Sequence, residues 1–167
     1  GYYQNVDVVI GEYDLSTSDE FSQTFDIIKT YRPYGTDIIL LELSGPTGVE
    51  PILLADLLSL GGLEGGELLT LIGWGNQQPD PNIEPELPTV LQEVEVPLYG
   101  QSECESELQD INIADNFYNQ FDFLNGNAIC TGHVEGSLGS CNGDSGGPLI
   151  KQIDGDWYQF GITSLGP

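Results

Sequence analysis

The residues best suited to chemistry lie together near the end of the chain, in Gly139-Ser140-Cys141-Asn142-Gly143-Asp144-Ser145-Gly146-Gly147-Pro148. Glycines surround one serine, and an aspartate directly precedes it. So much glycine does not suit a packed strand, so the stretch reads as a tight turn with its backbone amides exposed. Such a turn can hold the Ser145 hydroxyl outward while the N–H groups of Gly143 and Ser145 point into a common space. A nucleophile beside an oxyanion hole requires that geometry. Gly-Asp-Ser-Gly alone also fits an ordinary loop. The rest of the chain has to position this turn.

The 167 residues suffice for one sizeable core or two small ones. Charge is the unusual feature. Lys29, Arg32 and Lys151 face 27 acidic residues, a net charge of −24. Nothing here neutralises phosphates, which argues against nucleic acid and against an anionic membrane surface as partners. No apolar run is long enough to span a bilayer as a helix. The acids are scattered, as in the solvated shell of a secreted or salt-tolerant protein. The sequence opens on Gly1 and contains no methionine, which reads as a processed chain or a fragment. Three cysteines, Cys104, Cys130 and Cys141, with no CxxC pair and a single histidine, speak against a zinc site. They suggest one disulfide and one cysteine left over.

Residues 4–14 read as a β-branched strand stopped by Gly11, and residues 25–29 as a second strand. The polar loop between them carries Glu12, Asp14, Asp19 and Glu20, which could ligate calcium through oxygen. Four nearby carboxylates are also what this acidic composition produces by itself. Asp37 precedes the aliphatic run Ile38-Ile39-Leu40-Leu41, as a turn aspartate opening a buried strand would. Residues 68–75 read as a strand ending in Gly73-Trp74-Gly75. Pro79, Pro81, Pro85 and Pro88 make the following segment a surface loop. Val94 and Val96 alternate with Glu93 and Glu95, a half-buried strand over 90–97. Ser102 can cap a short helix reaching Glu107. Residues 148–153 and 157–164 read as a closing hairpin across Asp154-Gly155-Asp156.

With Cys141 before it and Gly147-Pro148 after it, the Gly143-Asp144-Ser145-Gly146 turn resembles the active-site segment of trypsin/chymotrypsin-like serine proteases. Other stretches resemble that family in the same order: Asp37-Ile38-Ile39-Leu40-Leu41, Gly73-Trp74-Gly75, the Val94–Pro97 strand, Asn127-Ala128-Ile129-Cys130-Thr131-Gly132, and Gly161–Gly166. The resemblance implies an all-β, two-barrel antiparallel fold with its first barrel incomplete. Residues 1–50 would supply the later part of the N-terminal barrel, 51–65 the connection, and 66–167 the C-terminal barrel, truncated at its end. It implies a secreted, monomeric endopeptidase acting on proteins or peptides, with no cofactor. Ser145 would be the nucleophile and Asp37 the buried carboxylate that orients a histidine, held ionised by hydrogen bonds and that partner. The amides of Gly143 and Ser145 would form the oxyanion hole, and Asp144 would hold that loop in shape, paired with a new N-terminal amine on activation. Gly139, Ser140, Ser164, Leu165 and Gly166 would line the substrate pocket. Leu165 replaces the family's usual tryptophan. Glycine at 139, where trypsin-type members carry an aspartate, implies a neutral floor. The resemblance also implies a Cys104–Cys130 disulfide. Leu69 and Lys151 occupy positions where many members carry a second cysteine pair. The family's catalytic histidine lies upstream of the first strand read here, and its partner for Cys141 lies downstream. The resemblance therefore implies an internal fragment, with His133 a loop residue and not the base. A non-catalytic homologue, a binding module that has lost the histidine, is the rival reading, and an acidic structural or ion-binding domain a third.

Self-repulsion among −24 charges is strongest where screening is weakest. The thermal midpoint of the full-length protein is expected to rise between about 0.01 M and about 1 M sodium chloride. A flat or falling midpoint in such melts would show that the carboxylates are already compensated.

Overall fold

Alternating apolar residues and glycine-bearing turns produce two sheets and almost no helix in the computed structural model, which describes residues 6–17, 19–56, 62–78, 80, 82–100, 102–104, 106, 128–133 and 138–164. The protein is all-β, consistent with a trypsin-like β fold. Its contacts divide it into two units, Gly1–Pro51 and Ile52–Pro167.

The first unit is a three-stranded sheet, β1 (Asp7–Ile10), β2 (Gln23–Tyr31) and β3 (Leu40–Leu43), antiparallel and in that order. Val8 lies opposite Phe25, and Tyr31 opposite Leu40. Gly11 ends β1. The middle strand is longer than the sequence suggests, because β-branched and aromatic residues continue through Thr30 and Tyr31. On one face Lys29 lies over the Tyr31 ring at 4.4 Å, and the Tyr31 hydroxyl donates to Glu42 at 2.7 Å. Phe25 is buried in this unit. The aliphatic run before and within β3 is not buried as its composition suggests: Leu40 is 61% exposed. A strand is buried on both faces only where layers cover both, and the described residues of this unit form a single sheet.

The second unit holds a five-stranded sheet of β4 (Leu53–Leu54), β5 (Leu68–Gly73), β6 (Gln92–Pro97), β7 (Pro148–Ile153) and β8 (Asp156–Ile162), ordered β4-β8-β7-β5-β6. Only β4 runs parallel to its neighbour, with Leu53 opposite Tyr158. β7 and β8 form the expected hairpin. Its two-residue turn, Asp154-Gly155, has both φ angles positive, as the twist of a tight hairpin demands. Leu69 faces Val96 across the β5–β6 pair, and both are completely enclosed with Leu149 and Phe160 around them. Each such side chain contributes about 1.5–3 kcal/mol through burial. The alternation read over 90–97 is therefore real: Val96 points inward while Glu93 and Glu95 are exposed. Residues 128–132 form no named strand, and meet the sheet's margin at a Leu98–Thr131 bridge. There the Tyr99 N–H donates to the Cys130 carbonyl and the Gly132 N–H to the Pro97 carbonyl, and Ile129 packs against the core. Residues 102–104 are helical, and Cys104 is joined to Cys130. Among the described residues no helix is long and apolar enough to cross a membrane.

Leu69 and Lys151 have diverged in use. Leu69 belongs to the core, whereas Lys151 pairs with Glu67 at a partly exposed site. The Lys151 ammonium holds the Glu67 carboxyl below its ordinary value of 4.5, assisted by the Glu64 N–H donating to it at 2.7 Å. A carboxyl lowered in the folded state adds stability above its unfolded pKa and loses it as pH falls through the folded one. Glu67→Gln is therefore expected to cost up to about 1 kcal/mol at pH 7, the scale of a partly exposed pair. The cost should shrink as pH falls through the lowered folded pKa and vanish once both forms are neutral. Urea titrations of the two proteins across this range check it.

Candidate functional site

The serine turn is built from two overlapping β-turns that share Asp144. The Asp144 N–H donates to the Cys141 carbonyl at 3.0 Å, closing residues 141–144, and the Gly147 N–H donates to the Asp144 carbonyl at 2.9 Å, closing 144–147. In each turn the third residue is a glycine at positive φ, Gly143 at 105° and Gly146 at 87°. A turn of this kind selects glycine there. Ser145 is exposed on the second turn. Among the described residues, nothing accepts from the N–H groups of Gly143 or Ser145, whereas those of Asp144, Gly146 and Gly147 are all engaged.

The turns are anchored on both sides. Gly146 donates to the Thr163 carbonyl, and Thr163 donates to the Gly147 carbonyl, each at 2.8 Å, which ties them to the end of β8. On the other side, Asn76 donates to the Asn142 carbonyl at 2.8 Å. The Asp144 carboxylate reaches the same segment: Oδ1 accepts from the Gly75 N–H at 2.8 Å, and Oδ2 from the Cys141 N–H at 2.9 Å. Both oxygens are thus committed to backbone amides. A hydrogen bond to a charged group contributes about 1.5–3 kcal/mol, so this carboxylate is a strong brace for the loop.

Asn76 is a positioning residue that the sequence does not single out. Its side-chain oxygen accepts from Gln78 and Glu86 at 3.0 and 2.8 Å, closing the base of the proline-bearing loop. The Trp74 indole fixes the same loop by donating to the Thr89 carbonyl at 3.0 Å. An asparagine next to a Gly-Trp-Gly turn is a local sign of such bridging. Farther out, hydrogen bonds from Asn82, first its backbone and then its side chain, hold the Asp80 carboxyl below its ordinary range.

Of the other residues singled out by sequence, Gly139 and Ser140 are exposed just ahead of the turns. Ser164 follows Thr163, whose backbone bonds to the serine turn. Leu165 and Gly166 lie outside the described residues. Asp37 belongs to the first unit, in the loop ahead of β3, and is exposed, not buried, for the same reason as its strand. The His133 ring nitrogen Nε2 lies 3.3 Å from the Glu95 carbonyl oxygen, beside the edge strand β6. Glu12, Asp14, Asp19 and Glu20 lie in the segment between β1 and β2. Asp19 accepts from the Tyr13 N–H at 2.6 Å, and Asp14 from the backbone and hydroxyl of Ser16 at 2.9 and 2.7 Å. Their oxygens brace the loop itself. Among the described residues, no three His, Cys, Asp or Glu side chains are gathered to hold a metal ion.

The family model for trypsin matches residues 2–167. The chain belongs to the trypsin family, whose members are serine peptidases. It is 34% identical over 178 residues to Trypsin-1 of Astacus astacus, an alignment covering 98% of this chain and 67% of that relative.

Cys141 is a free cysteine of intermediate exposure. Under non-reducing conditions a maleimide is expected to modify one thiol in this 167-residue chain, at Cys141, and to leave Cys104 and Cys130 untouched. Peptide mapping that found Cys141 in a disulfide with either would contradict this arrangement.

Proposed function

We propose that the protein is a secreted, monomeric serine endopeptidase that hydrolyses proteins or peptides without a cofactor. Ser145 Oγ attacks the peptide carbonyl carbon as its proton passes to an imidazole. Asp37 orients that imidazole, which a histidine outside these 167 residues provides. The carbonyl oxygen becomes an oxyanion that accepts from the Gly143 and Ser145 amides. Collapse of this intermediate breaks the C–N bond, the imidazolium protonates the departing amine, and water then releases the acyl group from Ser145 by the same route.

One observation carries the reading. In the double turn, the N–H groups of Gly143 and Ser145, which flank Asp144, have no acceptor among the described residues, as is true also of Asn142, and the serine they adjoin is exposed. Gly143 and Ser145 are both exposed, so these donors are open to an incoming carbonyl oxygen. Membership of the trypsin family and the Cys104–Cys130 disulfide, which suits an oxidising compartment, add support. In this reading His133 is a loop residue and not the base, and it lies beside the edge strand β6. The chain of 167 residues by itself is accordingly inactive.

Gly139 sets the proposed specificity. With no charge at the pocket floor, apolar side chains are favoured, each buried methylene contributing about 0.8 kcal/mol, while a basic side chain loses an ionic partner. Gly139, Ser140, Ser164, Leu165 and Gly166 supply the pocket's residues from this chain.

The test uses the full-length, activated protein and peptides varied at the residue before the cleaved bond. Cleavage is expected after apolar residues. Ser145→Ala should lower kcat by at least about 10⁴-fold and Asp37→Asn by about 10⁴-fold. Undiminished hydrolysis by Ser145→Ala would refute the mechanism, and dominant cleavage after Arg or Lys would refute the neutral pocket.

A further inference from the structure

Gly73 and Gly75 flank Trp74 at the end of β5, and neither has the positive φ that favours glycine. Their backbone conformation is open to other residues, so the reason for glycine lies in space. A Cβ on Gly73 would run into Asp144 Oδ1, with Cγ at 3.1 Å, and a Cβ on Gly75 would run into both carboxylate oxygens. The faces left bare by two glycines are therefore filled by one carboxylate from 69 residues along the chain. Gly143 completes the close approach, since a Cβ there would lie 3.1 Å from the Gly75 Cα.

The two N–H groups that Asp144 accepts are neutral, from Gly75 and Cys141. We propose that Gly73 and Gly75 are positioning residues, a seat whose emptiness admits the Asp144 carboxylate and so sets the Gly143 and Ser145 amides. This role rests on the peptidase reading of Ser145. It makes Gly73-Trp74-Gly75 a remote determinant of the reaction, acting through the carboxylate and touching no substrate. The seat is specific for a carboxylate. In Asp144→Asn the side-chain NH₂ would face one of the two N–H donors, and the shape would be kept while one hydrogen bond was lost.

The decisive experiment is a double-mutant cycle between Gly75→Ala and Asp144→Ala in the full-length activated protein. Gly75→Ala alone is expected to lower kcat by about 10²–10³-fold, the scale of losing an oxyanion donor, with KM changed less than about threefold. In the Asp144→Ala background, which removes the clashing group, the same substitution should change kcat by less than about threefold. An equal loss in both backgrounds, or no loss from Gly75→Ala alone, overturns the proposal. Amide hydrogen exchange gives a second arm that needs no activity. The Gly75 and Cys141 amides should exchange slowly in the wild type and at least about tenfold faster in Asp144→Ala and Gly75→Ala. Unchanged exchange in Asp144→Ala overturns the seat even if every variant folds poorly. Should the wild type fail to hydrolyse any peptide, the peptidase reading falls and the positioning role with it, while the exchange arm still decides whether the seat exists.

Discussion

The second unit depends on a single carboxylate that bonds across the fold. Asp144 sits between two consecutive turns, each with a glycine at its third place, and its side chain leaves them to accept from Gly75 at the end of β5 and from Cys141 at the start of its own turn. Without that acceptor, the double turn would be held by its own short hydrogen bonds, the β8 contacts and the bond from Asn76 to the Asn142 carbonyl. With it, the loop that carries Ser145 is fixed to a strand whose neighbours include the fully enclosed Leu69 and Val96. The rigidity of the core is thus passed to an exposed loop by an ionic side chain, whose hydrogen bonds are stronger than those between neutral groups.

This arrangement explains how much of the site was legible. The positions of Gly143, Asp144, Ser145 and Gly146 are a local matter, since turn geometry dictates glycine two places after the first residue of each turn. The Asp154-Gly155 hairpin is local in the same way, and so is the alternation of Val94 and Val96 with acids. The role of Gly73 and Gly75 was not legible beyond their forming a turn. What they avoid is a group 69 and more residues away, and a sequence does not display an emptiness that only a distant residue fills.

The first unit shows the complementary limit. Ile38, Leu40 and Leu41 carry the composition of a buried strand, and Asp37 that of its buried opening acid, yet all four are exposed. Composition records what a strand can bury, while burial itself depends on a second layer. Residues 128–132 differ for a related reason: one bridge to Leu98 leaves them at the sheet's margin. In the acidic loop, Asp14 and Asp19 turn oxygens to nearby backbone N–H groups. Short acidic side chains commonly stabilise turns in this way.

The parallel pairing of β4 with β8 bears on where the second unit starts as a physical object. Leu53 and Leu54 lie in what reads as connecting chain, yet they cover the outer edge of β8, and Ala55 continues the contact by donating to the Gln159 carbonyl at 2.9 Å. A piece cut to begin at the next strand, β5, would leave the N–H and C=O groups of β8 open along that margin. An unprotected edge of this kind recruits other chains and promotes aggregation. The few residues after Pro51 therefore act as a guard rail for the sheet that carries the serine turn, and the solubility of the isolated unit depends on keeping them.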